Sequence, residues 1–376
     1  MSLHITPGKV MGVAALTAVF GCSSSHDIAA HSDATATAGA AAPSAPNTPT
    51  GTRTATGQGQ AQAQAPVRSS AASNASSSAP PEGNVERQIS GAMLDDIRYA
   101  FDVTVPGGGE EFRCIYAQLP EDRGVVNVDH VESHYTPGSH HLLAYRSNLS
   151  EIPEEAPGVW DCGDGLWQIN MRGSYYEAQR PDEEHKLPKG IAHKFQPGEV
   201  LIIQAHYINP TDKELAAHVE MTLHPTDPKG VEQEAGTIFF NNINILVPAH
   251  GTAKSNMRCE LPTDIQLALL WSHMHERGVH FVVETDDEAA AKALGTLYEE
   301  NDWAEPDQRA YPNDSSAVLH AGSHIKFSCT FENPGEATYV FGQSAHDNEM
   351  CILHGMYWPR MPTPYEQCLL GQSSRD

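Results

Sequence analysis

Positive charge is what this chain has least of. Its 376 residues carry 23 lysines and arginines against 48 aspartates and glutamates, a formal net charge of −25. Over residues 1–85 the charges cancel, Lys9, Arg53 and Arg68 against Asp27, Asp33 and Glu82, so the whole excess sits on residues 86–376. A folded part this acidic excludes nucleic acid and anionic lipid headgroups as its ligands. Long apolar runs are also missing. The longest near the start, Val10 to Phe20, is too short to span a bilayer, which takes about 20 residues. Cys-x-x-Cys and His-Glu-x-x-His are both absent, which removes thiolate metal knuckles and the common zinc-hydrolase base motif from consideration. Helical periodicity is nearly absent too, and Asp286 to Glu300 is the one good candidate.

What is present sorts into three stretches. Residues 1–22 read as an export signal, with Lys9 before the apolar run and Val19-Phe-Gly-Cys22 resembling a lipobox, so lipidation of Cys22 is expected. Ser23 in the next position favours sorting to the outer membrane, which makes a lipid anchor the chain's only expected membrane contact. Residues 23–87 are Ala, Ser, Thr, Pro, Gln and Gly with almost no large apolar side chain, a disordered spacer by composition. The rest is long enough for two domains, expected at 88–230 and 231–372 with a junction near Asp227-Pro-Lys-Gly230. Short apolar or alternating runs broken by Gly, Pro, Asn and Asp, such as Val200–Tyr207 and Ile325–Phe331, indicate an all-β fold: two antiparallel sandwiches of jelly-roll type.

Among 20 histidines, five stand with one methionine as two candidate ligand trios: His140, His141 and His206, then His273, His275 and Met350. Three imidazoles suit a borderline ion such as copper or zinc. A thioether beside two imidazoles favours Cu(I) and is unusual for zinc. His273 and His275, two apart, leave the same face of a strand. His140 and His141 are adjacent, and a regular strand would send them to opposite faces. They can share an ion only where the strand bulges or ends, which Pro137-Gly138 permits. His130 and His134 read as surface residues, and His280 should face away from His275. His346 and His354 flank Met350 and would line a cleft without binding metal.

The contexts of these residues are Gly138-Ser-His-His-Leu-Leu-Ala-Tyr145, Leu187-Pro-Lys-Gly190, Gln204-Ala-His-Tyr207, Ser272-His-Met-His-Glu276 and Glu349-Met-Cys351 leading to Tyr357-Trp-Pro359. In this order and at these intervals the set resembles the copper type II, ascorbate-dependent monooxygenases, from about Phe101 to Cys368. That resemblance implies two coppers on two sandwiches across a solvent-filled cleft. The His140/His141/His206 copper would transfer electrons, and the His273/His275/Met350 copper would meet dioxygen and a small organic substrate. Ascorbate or an equivalent would be the reductant, and one C–H bond would be hydroxylated. Gln204 matches a family position near the electron-transfer copper. The six cysteines left after Cys22 allow fifteen pairings; the resemblance implies Cys114–Cys162, Cys259–Cys368 and Cys329–Cys351. Peptide-hydroxylating relatives grip a substrate carboxylate from positions occupied here by Trp271, Ile352 and His354. Their loss implies a more apolar or aromatic substrate. The competing expectation is a non-catalytic copper-binding lipoprotein of the envelope.

Overall fold

A computed structural model describes residues 85–375 apart from 90–91, 155, 157, 164–170, 363–364 and 369–371. The expected signal, Cys22 and nearly all of the expected spacer lie outside the described residues. Residues 85–87, placed in the spacer on composition, belong to a strand, Val85–Ile89, because that segment pairs antiparallel with Ile97–Val105.

The fold is all-β. In the first half, one sheet runs in the order Val85–Ile89, Ile97–Val105, Leu215–Pro225, Val126–Tyr135, Ile191–Phe195 and Gln233–Glu234. A second sheet runs Trp160–Asp161, Glu110–Gln118, Val200–Ile208, Ser139–Ser147 and Met171–Ala178. Tyr99, Phe101, Val131, Tyr135, Tyr176, Ile203 and Leu223 fill the space between them. The second half repeats the plan. One sheet contains Ile265–Met274, Cys351–Trp358 and Gly236–Asn241, and the other contains Gly278–Thr285, His324–Asn333 and Gly251–Glu260. Gln233–Glu234 adds to the first half in parallel with Ile191–Phe195, so the second half's own strands begin at Gly236.

Burial patterns show which sheets are central. Gly251–Glu260 alternates, with Ala253, Ser255, Met257 and Cys259 inward, as a strand with one wet face must. In Val200–Ile208 every position from Val200 to Tyr207 is buried, and so is every position of Ile265–Met274 and Cys351–Trp358. These strands have a core behind them and the other half in front, which is why their sequences read as continuous apolar runs. A cluster of Leu187, Ile191, Ala235, Ala268, Leu269, Trp271, Met356 and Trp358 spans the two halves. The three disulfides join Cys114 to Cys162, Cys259 to Cys368 and Cys329 to Cys351, the pairing that the resemblance implies. Loop closure of this kind contributes about 2–4 kcal/mol each by constraining the unfolded chain.

Candidate metal centre

The two facing sheets carry all five candidate histidines. Gly138, at φ 109, turns the chain into Ser139–Ser147. His206 then pairs with His141 and Tyr207 with Ser139, so the register slips by one residue and His140 bulges out of the ladder. The bulge brings both neighbouring imidazoles to one side: ring centroids are 4.9 Å apart for His140–His141, 5.0 Å for His140–His206 and 4.8 Å for His141–His206. His273 lies in Ile265–Met274 and His275 just beyond its end, their rings 5.2 Å apart and perpendicular.

The resemblance implies a solvent-filled cleft between the two trios, and the structure differs. His273 stands 5.1 Å from both His140 and His141, and His275 stands 5.4 Å from His140. One ligand atom from each of His140, His141 and His273 lies within 4.8 Å of the others, a grouping that crosses the two expected trios. Polar contacts between the halves hold them this close. Gln179, just past Met171–Ala178 of the first half, hydrogen-bonds His273 Nδ1. Glu110 of the first half accepts from Ser344 Oγ at 2.7 Å and Ala345 N at 3.0 Å, both in the loop ahead of Met350.

All five imidazoles are buried, and burial pushes their pKa values down: His140 to about 4, His275 to about 3, and His141, His206 and His273 well below the usual range. They are therefore neutral near pH 7, each with a lone pair to offer. Their partners settle which nitrogen offers it. The amide oxygen of Gln179 only accepts, so His273 Nδ1 carries the proton and Nε2 stays bare. His275 Nδ1 donates to Asn348 O at 3.2 Å, which frees its Nε2 as well. His206 Nε2 donates to Glu110 Oε1 at 2.8 Å, turning the Nδ1 lone pair toward His141 Nε2 at 3.3 Å. His140 Nε2, His141 Nδ1, His273 Nε2 and His275 Nε2 are buried with no hydrogen-bond partner among the described residues. Orphaned ring nitrogens gathered this closely, with the opposite edges of His273 and His275 tied to oxygens, suit a bound transition metal.

Met350 is buried against Phe239 and Ile352 and shares a small cavity with His141 and His273. Its place is fixed from both sides. The Cys329–Cys351 bridge follows it, and before it Glu349 Oε1 accepts from Arg277 N at 3.0 Å and Arg277 Nη1 at 3.1 Å. Burial raises the Glu349 carboxyl to about 7 against the pull of Arg277. The cavity is also lined by Leu143, Tyr145, Glu177, Gln204 and His354, and measures about 30 Å³. Gln204 is buried there and accepts from Tyr145 OH at 3.4 Å. Trp271 and His354 stack with ring centroids 5.6 Å apart, and both reach Glu177: Trp271 Nε1 donates to Oε2 at 3.2 Å, and His354 Nε2 lies 2.5 Å from the same oxygen.

Three of these residues have no counterpart in the sequence reading. Glu177 and Gln179 alternate along one strand direction and so share a face, and a charged residue inside Tyr175-Tyr-Glu-Ala178 is the signal that marks them. Glu110 has no local signal. The near misses fall away from the centre: His346 is exposed near Glu276, His280 pairs with Glu299 at 2.9 Å, and His134 pairs with Asp182. His130 is on the outer face of the first half.

Residues 235–374 match the family described as copper type II ascorbate-dependent monooxygenase, C-terminal domain. Over that stretch the chain is similar to the copper type II, ascorbate-dependent monooxygenases. Peptidyl-glycine alpha-amidating monooxygenase A of Xenopus laevis is 25% identical to it over 282 residues, which is 69% of this chain and 28% of that relative. The match thus spans under a third of the relative's length. Among solved structures, PNGF-II overlaps 69% of this chain and 60% of its own at 10% identity, with a TM-score of 0.22. An overlap that low carries no argument.

Proposed function

We propose that this chain is a copper-dependent monooxygenase that hydroxylates a C–H bond of a small organic substrate, using O2 and a one-electron reductant such as ascorbate. The observation that carries the reading is the set of orphaned, neutral imidazole nitrogens, two of whose rings, His141 and His273, line a cavity with Met350. His140, His141 and His206 would hold one copper, and His273, His275 and Met350 a second. Bound copper would supply one-electron redox chemistry toward dioxygen, which no side chain here can perform.

The chain's own residues do the rest. Glu110 and Gln179 lock the tautomers of His206 and His273, so each ligand is held ready without a proton to lose. Phe239, Ile352, Leu143 and Met350 make an apolar wall that excludes bulk water. His354 and Glu177, with Trp271 bonded behind Glu177, form a polar side, and among the described residues no lysine or arginine lines the cavity. A substrate carboxylate would meet Glu177 and find no cation, at a cost of several kcal/mol. A neutral or aromatic substrate fits this lining better than a glycine-extended peptide. The sequence before residue 23 supports export and an envelope location through lipidated Cys22.

Dioxygen consumption by the copper-loaded protein, with ascorbate and a panel of neutral aromatics, arylalkylamines and glycine-extended peptides, tests the proposal. Substrate-dependent consumption coupled to a hydroxylated product is expected. Copper binding at normal affinity with no product from any class would leave a binding protein instead. Met350→Ile should abolish turnover while the three-imidazole site keeps its metal, and retained activity would remove Met350 from the oxygen site.

A further inference from the structure

A second set of metal-ligand side chains lies on the outer face of the first half. In Val126–Tyr135, Val131, Ser133 and Tyr135 point into the core, while His130, Glu132 and His134 point out. His224 of the neighbouring strand Leu215–Pro225 sits directly opposite His130 in the register and also points out. The whole first-half core separates this face from the sheet that carries His140, His141 and His206. The two sets are therefore independent.

Each imidazole has one nitrogen tied to a carboxylate. His224 Nδ1 donates to Asp96 Oδ1 at 2.9 Å, and His130 Nε2 donates to Glu184 Oε2 at 3.0 Å. Carboxylates of this kind fix the tautomer of metal-binding histidines and raise the basicity of the free nitrogen. The two rings lie nearly parallel with centroids 4.4 Å apart. His224 Nε2 is shielded from solvent, has no hydrogen-bond partner among the described residues, and stands 3.3 Å from Glu132 Oε1. With its proton on Nδ1, that nitrogen is a lone pair facing a carboxylate, and a cation between them converts the repulsion into two bonds. One ligand atom from each of His130, Glu132 and His224 lies within 4.8 Å of the others.

We propose that His130, His224 and Glu132 form a divalent transition-metal site, separate from the catalytic centre and selective for zinc or Cu(II). Two imidazoles and one carboxylate are donors for those ions, whereas calcium and magnesium demand oxygen-rich shells. Asp96 and Glu184 support the ligands, and the surrounding carboxylates draw cations to this face.

The test uses chelator-stripped full-length protein titrated with zinc by calorimetry, with bound metal counted by elemental analysis after dialysis. His130→Ala/His224→Ala should take up one zinc equivalent less than the unmutated chain, and His273→Ala/His275→Ala should keep that equivalent. Glu132→Gln should weaken the same equivalent about 10-fold or more while leaving metal-free stability unchanged. Zinc should raise the melting temperature of His273→Ala/His275→Ala by mass action more than that of the protein lacking all four histidines, in which only the His140/His141/His206 trio remains. Equal zinc uptake with and without His130 and His224, or an affinity only in the millimolar range, would overturn the proposal and leave two ordinary histidine–carboxylate pairs.

Discussion

Replacing Glu110 by alanine should loosen the proposed metal centre and the joint between the halves together. Its Oε1 accepts from His206 Nε2 at 2.8 Å and Ala345 N at 3.0 Å, and its Oε2 accepts from Ser344 Oγ at 2.7 Å. A hydrogen bond to a charged group is worth about 1.5–3 kcal/mol net. The Glu110 side chain is 24% exposed, so water replaces it for Ser344 and Ala345 and those two bonds count for less. His206 is fully buried, so its Nε2–H loses its partner with no water to substitute, at about 1–3 kcal/mol. The sum expected is on the order of 2–4 kcal/mol in urea unfolding of the metal-free protein. His206 also loses its tautomer lock, which should weaken copper at that site about 10–100-fold in competition with a chelator. Glu110→Gln keeps an acceptor and should fall between. If Glu110→Ala matched the unmutated protein in both unfolding and chelator competition, the bridge would be a surface contact and the reasoning would fail.

Three further outcomes follow from the same geometry. His185 is buried between Tyr176 and Trp271 with neither ring nitrogen bonded among the described residues, and burial lowers its pKa to about 3. The unfolded chain, with an ordinary histidine near 6.5, binds the proton first. Stability therefore falls as pH drops from about 6.5 toward about 3, by roughly 3 kcal/mol near pH 4, and His185→Leu should flatten that part of a pH–stability curve. Trp271→Arg should raise kcat/KM for a glycine-extended peptide relative to a neutral aromatic, since it puts a cation beside the cavity. Efficient peptide turnover by the unmutated chain, with no gain from the arginine, would contradict the substrate reading. Arg277→Met should leave Glu349 buried without its partner, cost about 3–5 kcal/mol in unfolding, and disturb the strand that presents Met350.

Patterns confined to one segment were legible in the sequence. Strand periodicity gave the all-β class, and Pro137-Gly138 marked the bulge that gathers His140 and His141. The helix was legible only in part. Asp287 caps Ala290 N, but Gly295 at φ 65 ends the helix after Glu288–Leu294, and Tyr298–Glu300 is drawn into a strand by pairing with Phe281–Val283. Local propensity could not foresee that neighbour. Glu110, Glu177 and Gln179 stayed hidden for a similar reason: each acts on residues some 90 to 240 positions away, and a carboxylate in a strand looks like a wet face until the opposing sheet is known. The closeness of the two trios is likewise a property of docked halves that no single segment encodes.

The cavity beside Met350, at about 30 Å³, has room for a water molecule or two and for no organic substrate. Its walls come from both halves. An organic substrate would displace lining side chains from both halves, which the contacts of Gln179 with His273 and of Glu110 with Ser344 and Ala345 join. Every turnover would then include a breathing motion of one half against the other. Its speed would respond to solvent viscosity, and a crosslink between the halves would stop the enzyme with its metal ligands untouched.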